Sequence, residues 1–231
     1  MAGNSIRKGR PTAEDSRVKL AQILDVARDL FAERGYRAVT MREVADQANV
    51  STRTLYNRYA DKFSLFNACL SFGASAFPTL PAAKADDLQK ALTDFGIAIV
   101  KVLATDSSVR LSMLIYWESN EFPELLRASE ENHRKHLLNP LTAFLEKSCF
   151  PEEMAEEFAK LYLALALSEW QRRMTYNHPP QTEKEIEQHA ARAAAMFVNG
   201  AAAAQTKSPG ETKKAKVEIL AAHRRCGKAR T

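Results

Sequence analysis

Cysteine is scarce in this 231-residue chain: Cys69, Cys149 and Cys226 lie far apart and are odd in number. That spacing gives neither a disulfide framework nor a thiolate metal site, and it suits a reducing, cytoplasmic setting. No run approaches the roughly 18 consecutive apolar residues that a membrane span needs. The N-terminal stretch MAGNSIRKGRPTAEDSR also lacks the apolar segment of a secretory signal. Glycine (8) and proline (9) are few beside a 45% hydrophobic content, which excludes fibrous and disordered compositions. No nucleophile elbow, phosphate-binding glycine loop or HExxH occurs, so neither enzymatic chemistry nor a cofactor is expected. His133 and His136 are three apart but have no third ligand at useful spacing, and no metal is expected.

What is present is charge, unevenly placed. Residues 1–62 carry 12 Lys/Arg against 8 Asp/Glu, and residues 205–231 carry 8 against 2. The stretch between them is acidic, with 13 against 18. A basic front on an acidic body suggests two tasks, the first on a polyanion. The expected organisation is a basic flexible arm (1–15), a compact unit (16–62), a larger helical unit (63–204) and a basic disordered tail (205–231) with one short helix at 215–225.

The fold class read from periodicity is all-α. Patterns of period 3.6 recur, and no stretch alternates with β-branched enrichment. A first helix from Ser16 carries the stripe Leu20, Ile23/Leu24, Ala27, Leu30/Phe31 and stops at Gly35. TMRE is a capping box, Thr40 with Glu43, that opens a short helix at 41–48. Asn49 suits a left-handed turn, Ser51 caps a helix at 52–58, and Asp61 caps the next, which ends before Pro78. Five further helices are predicted near 85–104, 107–119, 123–148, 152–175 and 183–204, with Pro140 kinking or splitting the third.

Two short helices joined by a three-residue turn and braced by a longer one match a helix-turn-helix. That accounts for NVSTRTLYNRYADK, in which Leu55 is the sole sure aliphatic anchor of its helix. Val50, Leu55 and part of Tyr59 must pack, which leaves the rest to face outward. Arg53 can bridge two acceptors on guanine, and Thr52 or Thr54 can touch a thymine methyl. Thr40 and Tyr56 suit phosphates, Lys62 stands at a helix start, and Arg10 in the arm can follow a groove. Ser51, Asn57 and Tyr59 complete the candidate DNA-binding set. The plainer alternative is a solvated polar helix, although such helices usually carry Glu/Lys pairs.

Ile23 to Phe66 resembles the DNA-binding domain of the TetR/AcrR family of bacterial transcriptional regulators. The resemblance rests on Ala27, Leu30-Phe31, Gly35-Tyr36, Thr40, Val44-Ala45, Val50-Ser51, Thr54-Leu55-Tyr56, Tyr59, Lys62 and Leu65. Asn49 and Arg53 depart from the small residues common at their places. Farther on, RLSMLIYWESNEFPELLRA is similar to the AefR-like group. The resemblance implies an all-helical homodimer on double-stranded DNA, whose C-terminal domain binds a small-molecule effector and thereby releases the operator.

In the body, FAKLYLALAL is apolar nearly all round, and HAARAAAMFVNGAAAA is rich in small side chains. Together they suggest a four-helix dimer interface through Phe158, Leu161, Leu165, Ala194 and Phe197, or else an ordinary interior pair. Candidate effector-pocket residues are Phe95, Met113, Tyr116, Trp117, Phe144, Trp170 and Met174, with Glu118, Asn120 and His133 as polar partners; core packing is the rival for each aromatic. The reading that results is a ligand-responsive dimeric repressor on a palindromic operator. Its rivals are a regulator without a ligand, an activator, and a helical enzyme or protein-interaction module.

Overall fold

A computed structural model describes residues 13–80, 87–148 and 150–205, and among these the regular structure is helical throughout. The arm with Arg10, the tail and its short helix, and Cys149 lie outside the described residues.

The helical run α1 (Ala13–Ala38) buries Ile23, Leu24, Ala27, Leu30 and Phe31 of the predicted stripe, with Leu20 at its start half-buried. It breaks at Gly35, whose φ of 84° favours glycine. Two short helices follow, α2 (Met41–Gln47) and α3 (Thr52–Tyr56), and then α4 (Lys62–Ala74). Thr40 and Glu43 form the capping box, Ser51 accepts from the Thr54 amide, and Asp61 accepts from that of Ser64. Asn49 takes the left-handed turn at φ 51°.

The body comprises α5 (Leu88–Leu103), α6 (Asp106–Glu118), α7 (Pro123–His133), α8 (Asn139–Ser148), α9 (Glu152–Ala166), α10 (Ser168–Tyr176) and α11 (Glu183–Gln205). Between α7 and α8 the chain makes a π-helical turn, Arg134–Leu138, in which the Asn139 amide reaches back five residues to Arg134 O. Pro140 lacks the amide that would continue an α-helical ladder, so the turn widens just before it. Among the described residues no helix is long and apolar enough to cross a membrane.

The helix predicted as one over 152–175 is two, α9 and α10, parted at Leu167. In a continuous helix the Leu165 carbonyl would receive the Glu169 amide. Here the Ser168 hydroxyl (3.0 Å) and the His189 ring nitrogen (3.1 Å) bond to it instead. The break turns Trp170 toward α5, where its indole N–H donates to Leu103 O at 3.0 Å.

Two hydrophobic cores result. One unites α1–α4 with Leu111, Leu114, Ile115 and Leu125 from α6 and α7. The other gathers α5, α8, α9 and α11 around Phe150, Phe158, Tyr162 and Phe197. The boundary drawn at 62/63 therefore does not separate cores: Leu65, Phe66 and Cys69 of α4 pack with α1. The Cys69 thiol donates to Leu24 O, and burial pushes its pKa up to about 12, which suits a packed thiol rather than a reactive one.

Candidate nucleic-acid interface and internal cavity

The α2–turn–α3 unit is fixed by local bonds. The Thr40 hydroxyl donates to Glu43 Oε2 at 2.9 Å and accepts from the Glu43 amide, so it is held inside its own cap. The Thr40 amide, which donates to Glu43 Oε2 at 2.9 Å, and then the Thr40 hydroxyl, with Arg34 beside them, hold the Glu43 carboxyl below its usual pKa. The hydroxyls of Ser51 and Thr54 lie 2.7 Å apart, one donating a hydrogen bond to the other. Leu55 alone is buried on α3, while Arg53, Thr54, Tyr56 and Asn57 are exposed and Thr52 is half-exposed. Arg58 is exposed as well and belongs with this set. Its place beside Asn57 in NRYADK was a legible sign that the sequence reading passed over.

Two candidates face elsewhere. Tyr59 is buried in the head's core, its pKa raised first by desolvation, so its ring cannot lie along a nucleic acid. Lys62 turns inward: its Nζ donates to Tyr36 O (2.7 Å) and Arg37 O (3.1 Å) and sits 4.5 Å from the centre of the Tyr36 ring. Carbonyls left open where α1 ends draw the ammonium, so it acts as a C-terminal cap. Desolvation lowers its pKa, and the charge of Glu118 opposes that shift.

Glu118, expected in an effector pocket, holds the same corner from the other side. Its carboxylate accepts the Tyr36 amide at 3.1 Å and the Arg37 amide at 3.0 Å. Any side chain at Gly35 would collide with that carboxylate. Arg37 also pairs with Glu121, and Phe122 meets Tyr36 edge-on at 5.1 Å. The end of α6 is thus bolted to the end of α1.

Between head and body lies a cavity of about 620 Å³. Its walls are Leu70, Phe72 and Phe77 from α4 and the residues just after it, Leu111 and Ile115 from α6, and Trp170 from α10, with His133 and Leu137 on a further side. Of the predicted pocket residues only His133 and Trp170 line it. His133 is at its exposed edge; desolvation by the neighbouring protein, then the charge of Arg134, lowers its pKa. Tyr116 and Trp117 are 77% and 68% exposed on the far face of α6, because the face carrying Leu111, Leu114 and Ile115 turns inward. Phe95 is buried against Tyr162, and Phe144 borders a separate cavity of about 340 Å³ with His136 and Pro140. Met113 and Met174 are half-buried away from the 620 Å³ cavity, and Asn120 is exposed.

The faces assigned to dimerisation also divide. Phe158 and Phe197 meet at 6.1 Å within one subunit, each also against Phe150, and Ala194 is fully buried. These three belong to the subunit's own core. The alanines of α11 pack on α5: a Cβ at Gly96 would meet Ala190 at 3.4 Å, and the Tyr162 hydroxyl closer still. Small residues close a helix pair here inside one subunit. Leu161 (51%) and Met196 (64%) remain exposed, and Leu165 is half-buried.

This architecture, a helix-turn-helix head on a helical body with a cavity at the joint, defines a class of DNA-binding regulators. Residues 23–69 match the tetR family of bacterial regulatory proteins, and residues 90–200 match the C-terminal domain of AefR-like transcriptional repressors. The chain belongs to the tetR family and is a helix-turn-helix transcriptional regulator with an AefR-like C-terminal domain; the family is not enzymatic. It is similar to the uncharacterized HTH-type transcriptional regulator YvkB of Bacillus subtilis (strain 168), 35% identical over 82 residues, 36% of this chain and 43% of that one. It is also similar to the transcriptional repressor KstR2 of Rhodococcus jostii (strain RHA1), 40% identical over 63 residues, 26% and 31% of the two chains. The matches thus span less than half of either curated relative. Among solved structures, the flavonoid-responsive regulator FrrA is 26% identical with a TM-score of 0.61, covering 80% of this chain and 97% of that one.

Proposed function

We propose that the chain is a dimeric repressor that reads a palindromic operator through α3 in the major groove and is released by a small molecule in the 620 Å³ cavity. The observation that carries this reading is the double membership of α4. Cys69 packs in the head's core and also lines the cavity, as do Leu111 and Ile115 of α6. A ligand that shifts these walls biases the head, and a difference in affinity between two head arrangements is what release requires. Glu118, at the end of α6, adds a second link to α1.

On the DNA side Arg53 is the base reader. Thr52 and Thr54 contact bases, and Ser51, Tyr56, Asn57 and Arg58 contact the backbone, with Arg10 reaching from the arm, while Thr40 stays in its cap. Two heads about 34–36 Å apart are needed for successive major grooves. The outer faces of α9 and α11, with Leu161, Leu165 and Met196, supply the dimer contact. The similarity in fold to the flavonoid-responsive FrrA supports a small-molecule effector.

Mobility shifts on genomic fragments test the reading. A sequence-selective band is expected, and Arg53→Ala should cost roughly 1–3 kcal/mol and relax preference at one position per half-site. Equal losses on specific and random DNA would remove Arg53 as a base reader. Leu161→Glu should yield folded monomer in sedimentation; an unchanged dimer moves the interface elsewhere.

A further inference from the structure

The chemistry of the cavity wall narrows what the effector can be, an inference that rests on the effector-site reading above. Among the described residues Arg28 is the only fully charged side chain on the wall, and it is already paired, with Asp25 at 3.0 Å and Asp29 at 3.3 Å. Among the described residues no carboxylate lines the wall. A buried ion that finds no partner costs several kcal/mol. An anion entering here would meet an arginine outnumbered by its own carboxylates, and a cation would meet no carboxylate.

The polar groups divide into occupied and open. Asn132 donates to Asn67 Oδ1 (3.0 Å) and Ala128 O (2.9 Å) and accepts from the Ser71 hydroxyl (2.9 Å). The Trp170 N–H is held by Leu103 O. The hydroxyls of Thr105, Ser108 and Ser112 donate to Ser108 Oγ, Val102 O and Ser108 O respectively. Among the described residues three lining side chains make no hydrogen bond: Ser129, His133 and Gln171. Ser129 and His133 are four apart on α7 and share a face, while Gln171 follows Trp170 on α10. All three can serve a neutral hydroxyl or carbonyl, as donor or acceptor. Desolvation favours the uncharged form of the His133 ring. Around them, Phe72, Phe77 and Trp170 present aromatic surface.

We infer that the effector is an uncharged aromatic molecule bearing a hydroxyl or carbonyl that bonds to Ser129, His133 or Gln171, and that the cavity rejects carboxylates and ammonium ions.

A matched probe set tests this. Trp117 is exposed outside the cavity, so Trp117→Phe leaves Trp170 as the sole indole reporter on its wall. The variant protein is titrated with 4-phenylphenol, biphenyl-4-carboxylate and 4-biphenylmethylammonium at pH 7.5. The phenol should perturb Trp170 emission at a concentration at least tenfold below either ion. Gln171→Arg should then tighten carboxylate binding at least tenfold, and Ser129→Phe should weaken phenol binding while an intact near-ultraviolet circular dichroism spectrum reports the fold. An ion that binds as tightly as the phenol overturns the inference but leaves the effector site standing. Silence from all three probes overturns the site and the inference with it. Phenol binding that Ser129→Phe leaves unaltered places the ligand elsewhere and overturns both.

Discussion

In the head, α2 and α3 are seven and five residues long, too short to persist by themselves, and side-chain bonds tie their ends. Thr40, Ser51 and Asp61 each receive an amide three residues on, and Lys62 and Glu118 close the end of α1. The body holds itself differently. Its helices are longer, and Phe150, Phe158, Tyr162 and Phe197 interlock across elements far apart in sequence. The head's two short helices thus add directional polar contacts at their ends to a buried core and leave α3's outer face free, whereas the body relies chiefly on burial. A reading surface needs the first arrangement, since apolar burial on α3 would remove the groups that meet DNA.

The largest expected effect lies in the body. Phe158→Ala should destabilise the subunit by about 3–5 kcal/mol, the range for emptying an aromatic site in a core. Denaturant unfolding followed by circular dichroism checks it. A variant that keeps its unfolding midpoint and loses only dimer affinity would return Phe158 to the interface and undo the contrast.

A smaller effect is expected at the corner of the head. Lys62→Ala should cost about 1.5 kcal/mol of stability, the low end for a bond to a charged group because the side chain is half-buried. Its DNA binding should keep the salt dependence of the unmodified protein. A slope shallower by about one in log affinity against log salt would show that Lys62 contacts a phosphate after all.

The smallest sharpens the account of caps. Thr40→Ala should cost about 1 kcal/mol, and Thr40→Ser far less, because a serine hydroxyl restores the bond to the Glu43 amide. Adding Glu43→Ala to Thr40→Ala should cost less than the sum of the two single changes, as partners in one box are coupled. Full additivity in thermal unfolding would mean that the box does not act as a unit.

Residue pattern alone determined the all-helical fold, the caps at Thr40, Ser51 and Asp61, the left-handed turn at Asn49 and the break at Gly35. These are local: each depends on residues within three or four positions and on backbone preferences that no distant neighbour overrides. Family resemblance was legible for the same reason, since its residues cluster over Ile23–Phe66. Tertiary structure decided which faces meet. Phe158 and Phe197 look as suitable for a partner as for a core, and only the packing of α9 on α11 turns them inward. Trp117 and Trp170 are both indoles on body helices, yet one faces outward and the other lines the cavity, because the break at Leu167 re-aims α10. Lys62 and Glu118 were legible as charges, but the carbonyls and amides they hold exist as open groups only where α1 breaks. Hydrophobic burial has no direction, so sequence states how much of a helix must be covered and leaves what covers it to the assembled fold.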